Sequence, residues 1–293
     1  MKKIAFIVGT RPQLLKAEYL APVINRDAGL DVVAYDTGQH FSKCMTPKSK
    51  LQRLPKKVSA DLIVSIGDTD SSVTAALIAK KHSIPIAHIE AGLRCNDLSL
   101  KEEQNRVLVD HLSDLLLCST TSGVDNAIKE KLIGTVKFTG DVMLDMIKKD
   151  YYHWWELTAR GTILTLHRQA TVDDKDILSN TIKRAKKMAV GDITFVLHPR
   201  TFARLGDFGM IDELIGMTIL PPLPRPEFLS KMCNAEQLLT DSGGAAREAF
   251  FIGTPFEVLR GSHEFEDDFK CIDNFGDGTA GTNIAFAIKD WLE

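Results

Sequence analysis

Apolar runs of strand length alternate along this chain with amphipathic runs of helix length, the pattern of a parallel sheet whose strands are joined by crossover helices. The first run, Ile4-Ala5-Phe6-Ile7-Val8, follows Lys2-Lys3 and stops at Gly9-Thr10-Arg11-Pro12. Further strands are predicted over residues 32–36, 62–66, 86–89, 115–118 and 136–138, with helices near 16–26, 71–81, 102–112 and 123–131. A second series follows the aromatic stretch Tyr151-Tyr152-His153-Trp154-Trp155, with strands predicted over 162–165, 193–197, 217–220, 237–240 and 255–259. The pattern therefore predicts an α/β protein of two doubly wound, Rossmann-like domains, residues 1–150 and 151–293, facing a central cleft. Pro221-Pro222-Leu223-Pro224-Arg225-Pro226 reads as a stiff loop outside regular structure, because proline fixes φ and lacks a backbone donor.

Composition narrows the class of protein. A chain of 293 residues suits two such domains. With 36 Lys and Arg against 39 Asp and Glu, the formal charge of -3 removes the main electrostatic case for sequence-independent nucleic-acid binding. Cys44, Cys95, Cys118, Cys233 and Cys271 are odd in number and lack metal-ligand spacing, so neither a disulfide framework nor a zinc site is expected. No apolar run approaches the length a bilayer demands, and the N-terminus reads as a strand rather than an export signal. The expectation is a soluble protein of the reducing cytoplasm, with no membrane association, no metal and no cofactor. The lysine-bearing stretches 129–149 and 183–187 read as solvated helix faces.

Candidate chemistry gathers at predicted strand ends, which line the ligand crevice in an open α/β sheet. Thr240-Asp241-Ser242-Gly243-Gly244 joins an apolar strand to a helix start, where backbone N–H groups meet an anion with no Cβ in the way. Ser242, Gly243 and Gly244 are assigned to a diphosphate, and Glu248, one turn further, to a ribose diol. Alone, the same three residues would also serve an ordinary β-to-α turn. Arg11 and Lys16 follow the first strand and offer a cation for phosphate and a second for a charge or carboxylate.

Asp68 and Glu90 follow consecutive strands, and Glu102 opens the next helix. Consecutive parallel strands bring Asp68 and Glu90 to one crevice, where paired carboxylates acquire the separated pKa values that an acid and a base need. Asp68 has a competing role as a helix cap and Glu102 as a first-turn dipole partner, whereas Glu90 has no easy capping role. His167 and His198 end the first two strands of the second series and precede Arg168 and Arg200, which favours diphosphate binding or proton transfer. Gln39-His40, at the end of the second strand, is a weaker instance. No GxxxxGK[ST], GxSxG or HExxH motif occurs, which argues against nucleoside-triphosphate hydrolysis, a serine hydrolase and a zinc protease.

These residues carry a family resemblance. Gly9-Thr10-Arg11-Pro12 with Lys16, Gly38-Gln39-His40, Gly67-Asp68-Thr69, His88-Ile89-Glu90-Ala91-Gly92-Leu93-Arg94, Glu102-Glu103-Gln104-Asn105-Arg106, His167-Arg168 and Thr240-Asp241-Ser242-Gly243-Gly244 resemble the non-hydrolysing UDP-N-acetylglucosamine 2-epimerases, in order and over most of the chain. The resemblance implies the glycosyltransferase-B fold, with a UDP-sugar as ligand and a last helix that can cross back to the first domain. It also implies elimination of UDP across C1 and C2 to a glycal, then re-addition with C2 inverted. Asp68, Glu90 and Glu102 would be the acid/base groups. Arg11, His167, Ser242, Gly243, Gly244 and Glu248 would handle UDP, and Phe228 would lie beside the uracil. A homodimer is expected at the level of the family.

Several positions depart from the family pattern. The segment between His40 and Asp61 is short, which removes part of the region near the family's activator site, and the loop between Asp97 and Glu102 is shortened. Gln13 replaces a glutamate, Gln169 and Ala170 replace a basic and an acidic residue, and Glu264-Phe265-Glu266-Asp267 replaces Glu-Arg-Pro-Glu, so a phosphate-side arginine is gone. An alternative is therefore a glycosyltransferase with a UDP-sugar donor, for instance one acting on hydroxymethylated bases in phage DNA. Fold cannot separate the two, since one architecture hosts both activities.

Overall fold

The computed structural model describes residues 1–39, 51–150, 161–261 and 263–293. The chain forms two compact units, Met1–Lys148 with Glu264–Glu293, and Lys149–His263.

The first unit holds β1 (Lys3–Val8), α1 (Arg11–Ala28), β2 (Asp31–Asp36), β3 (Leu51–Arg53), β4 (Leu62–Ile66), α2 (Asp70–His82), β5 (Ile86–Ile89), α3 (Lys101–Leu112), β6 (Leu115–Cys118), α4 (Thr121–Lys129), β7 (Thr135–Phe138) and α5 (Val142–Asp150). Its parallel sheet runs β3-β2-β1-β4-β5-β6-β7. Both faces are covered, so β1 shows an unbroken apolar run whose period of two divides between two cores. Ile4, Phe6 and Val8 join Leu14, Leu20 and Ile24 of α1, while Ala5 and Ile7 join Ala75, Ala76 and Ala79 of α2. Each such large aliphatic or aromatic side chain contributes about 1.5–3 kcal/mol when fully buried.

The second unit holds β8 (Thr162–Thr165), α6 (Gln169–Val172), α7 (Lys175–Met188), β9 (Ile193–Val196), α8 (Pro199–Asp207), β10 (Met217–Leu220), α9 (Arg225–Cys233), β11 (Gln237–Thr240), α10 (Gly243–Ile252) and β12 (Phe256–Val258). Its sheet is also parallel, in the order β10-β9-β8-β11-β12. Past residue 263 the chain rejoins the first unit and ends in α11 (Ala280–Leu292), whose Ile284 and Ile288 share a core with Leu20 and Ile24 of α1. The Asp145 carboxylate caps α11, accepting from the N–H groups of Ala280 (3.0 Å) and Gly281 (2.7 Å).

The two Rossmann-like α/β units are the fold class the periodicity predicts, with strands at the expected places. Three local readings need correction. Helix α1 begins at Arg11 rather than Lys16, because Pro12 occupies the first turn, where a missing N–H costs nothing. For the same reason the proline-rich segment is not all loop: Arg225 and Pro226 open α9. The stretch 129–149 is not one solvated face, since it includes β7 and α5, with Val142, Leu144 and Ile147 of α5 buried. Strand β3 was not legible, having one apolar residue in Leu51-Gln52-Arg53. His40, Cys44 and the aromatic stretch from Tyr151 lie outside the described residues. No helix among the described residues is long and apolar enough to cross a membrane.

Candidate functional site

In the first unit the sheet order reverses direction between β1 and β4, and ligands of open α/β sheets bind outside the carboxyl ends of strands at such a switch point. Gln13 ties the two strand ends together. Its Oε1 accepts from the N–H groups of Gly9 (3.0 Å) and Thr10 (3.2 Å), and its Nε2 donates to Ile66 O (2.7 Å), Thr69 Oγ1 (2.8 Å) and Ser72 Oγ (3.0 Å). A glutamate here could accept but not donate when ionised, so the amide fits this set of partners. Arg11 stands exposed at the first position of α1. Gln39 accepts from Ser71 N–H (2.9 Å), which gives it a capping role at the first turn of α2.

Lys16 is not a surface lysine. Its Nζ donates to Glu90 Oε1 at 2.6 Å, with side-chain exposures of 7% and 10%. Glu90 has φ 70°, a left-handed conformation that is costly for a residue with a Cβ. Gly67, at the end of the neighbouring strand, is also left-handed, and a Cβ built there would meet Glu90 Oε2 at 3.2 Å. The Asp68 loop and the Glu90 carboxylate therefore lie side by side.

Asp68 does not cap α2, whose N-cap is Thr69. It pairs instead with Arg106 of α3, and Asn105 Nδ2 donates to the Asp68 carbonyl at 2.9 Å. Burial alone would lower the Arg106 pKa, but Asp68, Glu264 and Glu103 overcome it and hold the guanidinium above its ordinary value. Glu102 sits half-buried in the first turn of the same helix. Its neighbour Glu103 is the buried one, accepting from Cys95 N–H (3.1 Å), Asn96 N–H (2.9 Å) and Arg106 Nη1 (2.6 Å). Glu103 thus shapes the short loop before α3, and Arg106, four residues beyond Glu102 on one helix face, reaches Asp68.

The second sheet has its own switch point, between β8 and β11. His167 follows β8, and Ser242, Gly243 and Gly244 follow β11. Asp241, fully buried, accepts from the N–H groups of His167 (3.0 Å) and Arg168 (2.8 Å) and so fixes one strand end to the other. Ser242 is the N-cap of α10, its hydroxyl accepting from Ala245 N–H at 3.3 Å, and Gly243 and Gly244 form the first turn. First-turn N–H groups lack intrahelical acceptors and carry the positive end of the helix dipole, which suits an anion.

The His167 and His198 rings lie 5.7 Å apart. Burial lowers the His167 pKa; Asp241 opposes this, while Arg168, His198 and Arg260 add to it. His198 is also lowered, by burial and by Arg200. Both rings are therefore biased to the neutral form. Glu248 is buried on α10 and accepts from Arg225 Nε at 2.8 Å, while Phe228 is half-buried on α9. Sequence reasoning gave no role of their own to Asp241, Arg106 and Arg225; Asp241 and Arg106 lie inside the motifs that carry the family resemblance, whereas Arg225 carried no signal. Among the described residues no three His, Cys, Asp or Glu side chains gather as metal ligands would.

Comparison with known proteins adds to this geometry. A family model described as UDP-N-acetylglucosamine 2-epimerase matches residues 36–293. The UDP-N-acetylglucosamine 2-epimerase of Methanococcus maripaludis is 29% identical, across 100% of this chain and 92% of its own. That alignment runs over 341 residues against 293 here, so the relative carries segments that this chain lacks. The UDP-2,3-diacetamido-2,3-dideoxy-D-glucuronate 2-epimerase of Pseudomonas aeruginosa is 30% identical, across 99% of this chain and 92% of its own. A crystal structure of the Methanocaldococcus jannaschii UDP-GlcNAc 2-epimerase in complex with UDP-GlcNAc and UDP superposes with a TM-score of 0.81 and 26% identity, covering 98% of this chain and 99% of that one.

Proposed function

Since this chain belongs to the UDP-N-acetylglucosamine 2-epimerase family and shares its glycosyltransferase-B fold, we propose that it inverts UDP-N-acetylglucosamine, or a close relative of it, at C2. The observation that carries the reading is the pairing of Asp68 and Glu90 at adjacent strand ends, each joined to its own buried cation. In the forward step a base takes the C2 proton while the C1–O bond breaks and UDP leaves with the electron pair, giving a glycal. In the return step UDP oxygen adds to C1 and an acid delivers a proton to the other face of C2. Proton and UDP both come back, so the sequence is redox-neutral and needs no electron acceptor.

The roles divide between the units. Glu90 and Asp68 are the acid/base groups, with Glu102 the third candidate, and Lys16 is the charge partner of Glu90. Ser242, Gly243 and Gly244 hold the diphosphate, His167 and Arg11 assist it, Glu248 takes the ribose, and Phe228 stacks on uracil. His198 and Gln39 act as supports, through the His167 ring and the α2 cap. His40 keeps only its sequence-level assignment to the substrate.

The relatives named above are epimerases, which favours this reading over sugar transfer. Incubation with UDP-N-acetylglucosamine in deuterium oxide, followed by NMR at C2, tests it. Deuterium at C2 and accumulation of the second epimer are expected. Retained protium, together with sugar appearing on hydroxymethylated DNA or another acceptor, would replace it with the transferase reading.

A further inference from the structure

Glu90 is held in its left-handed backbone conformation by residues on either side of it, and both sides lead to one buried carboxylate. Two residues before Glu90, His88 Nδ1 lies 2.6 Å from Asp110 Oδ1 of α3. Two residues after it, Gly92 N–H donates to Asp110 Oδ2 at 3.0 Å. Arg94 Nη1 donates to the same oxygen at 2.6 Å, and its Nε and Nη2 donate to Glu130 at 2.8 and 2.6 Å. The side chains of His88 and Asp110 are 0% exposed. The other ring nitrogen, His88 Nε2, lies 2.9 Å from the carbonyl oxygen of Gly67, the residue before Asp68.

The partners of His88 hold its ring at both nitrogens, the Asp110 carboxylate on one side and the Gly67 carbonyl on the other. Arg94 bridges Asp110 to Glu130. Burial would raise the Asp110 pKa, but His88 and Arg94 outweigh it and hold the carboxyl below its ordinary value. On β6, the Cys118 thiol is pushed up to about 12 by burial and by Asp110 against the pull of Arg94, so it adds no charge at neutral pH.

We infer that Asp110 and His88 are a positioning pair, locking the Glu90 turn and the Gly67–Asp68 loop at one separation so that two acid/base groups meet one sugar ring. The inference rests on the epimerase reading for its catalytic consequence and on geometry alone for the positioning. A pair of carboxylates acting on one carbon tolerates little drift, since a misplacement of about 1 Å costs about 100-fold in rate.

Two measurements test it. Without substrate, Asp110→Asn should quicken amide hydrogen exchange at Gly92, whose N–H Asp110 holds; unchanged exchange there overturns the inference. The same variant should lower kcat by about 100-fold while KM and UDP affinity stay near wild type. An unaltered kcat, or an equal loss in kcat and UDP affinity, also overturns it. Should Asp110→Asn not fold, His88→Gln, which retains a single donor group, takes its place with the same expected split. Absence of epimerisation by the wild-type protein would overturn the proposed function and leave the exchange at Gly92 to decide the positioning role.

Discussion

Lys16 Nζ and Glu90 Oε1 form a buried ion pair, 2.6 Å apart, between the second turn of α1 and the turn after β5. A buried pair of this kind adds little net stability over an apolar isostere, but breaking it strands a charge. Lys16→Met should therefore destabilise the first unit by about 3–5 kcal/mol in urea unfolding. The double variant Lys16→Met/Glu90→Gln should recover part of that loss, because the stranded charge is gone. A single-variant loss below about 1 kcal/mol would mean that the pair behaves as a surface contact.

Glu90→Gln keeps the shape of the side chain and removes its capacity to exchange a proton. Turnover should fall by about 100- to 10,000-fold, the range typical of general acid–base groups, with UDP affinity by calorimetry little changed. If affinity falls as far as turnover, Glu90 is a folding or binding residue and the acid/base assignment is wrong.

His167 should titrate below its ordinary value of 6.5, and Asp241→Asn should lower it further, because Asp241 is the group that opposes burial. The folded protein then binds fewer protons than the unfolded chain as pH falls through 6.5. The contribution to stability is thus present above that pH and erodes below it, down to the folded-state pKa. Proton NMR of the His167 ring gives the midpoint directly, and a value at or above 6.5 contradicts the burial argument.

Asp145 shows the opposite sign. Burial raises its pKa above 3.8, against the N–H groups of Gly281 and Ala280 and the Tyr19 hydroxyl. The folded state keeps this proton at a pH where the unfolded chain has lost it, so the stabilising contribution is present below 3.8 and is lost as pH rises through the folded value. Asp145→Ala should cost about 1 kcal/mol through the lost α11 cap, with a deficit that shrinks as pH rises through that window. Hydrogen exchange at Ala280 and Gly281 should quicken by about tenfold; unchanged protection there would show that α11 needs no cap.

The sheets were readable from sequence because strands buried on both faces, such as Leu62–Ile66 and Leu115–Cys118, are bounded apolar runs. Strand β3 was not, because Gln52 and Arg53 are exposed at the sheet edge and carry no apolar signal. Among candidate residues, Glu90 and Asp68 were singled out by strand-end position. Their partners Lys16 and Arg106 lie 74 and 38 positions away, a pairing that only the fold reveals. Asp110 escaped notice for a related reason: on the sequence it is one more acidic residue near the end of an amphipathic helix, and its meaning comes from His88 on β5 and from Gly92 and Arg94 just beyond that strand.

The docking of α11 on α1 joins two helices that lie on either side of the second unit in the sequence. On a ribosome, Leu20 and Ile24 emerge early and must await Ile284 and Ile288, while Lys149–His263 can close within itself before α11 is made. The usual order of vectorial folding, N-terminal part first, is thereby reversed, and an apolar stripe on α1 stays open to chaperones until α11 emerges. Nascent chains halted before Ala280 should accordingly carry a folded second unit and a protease-sensitive first one.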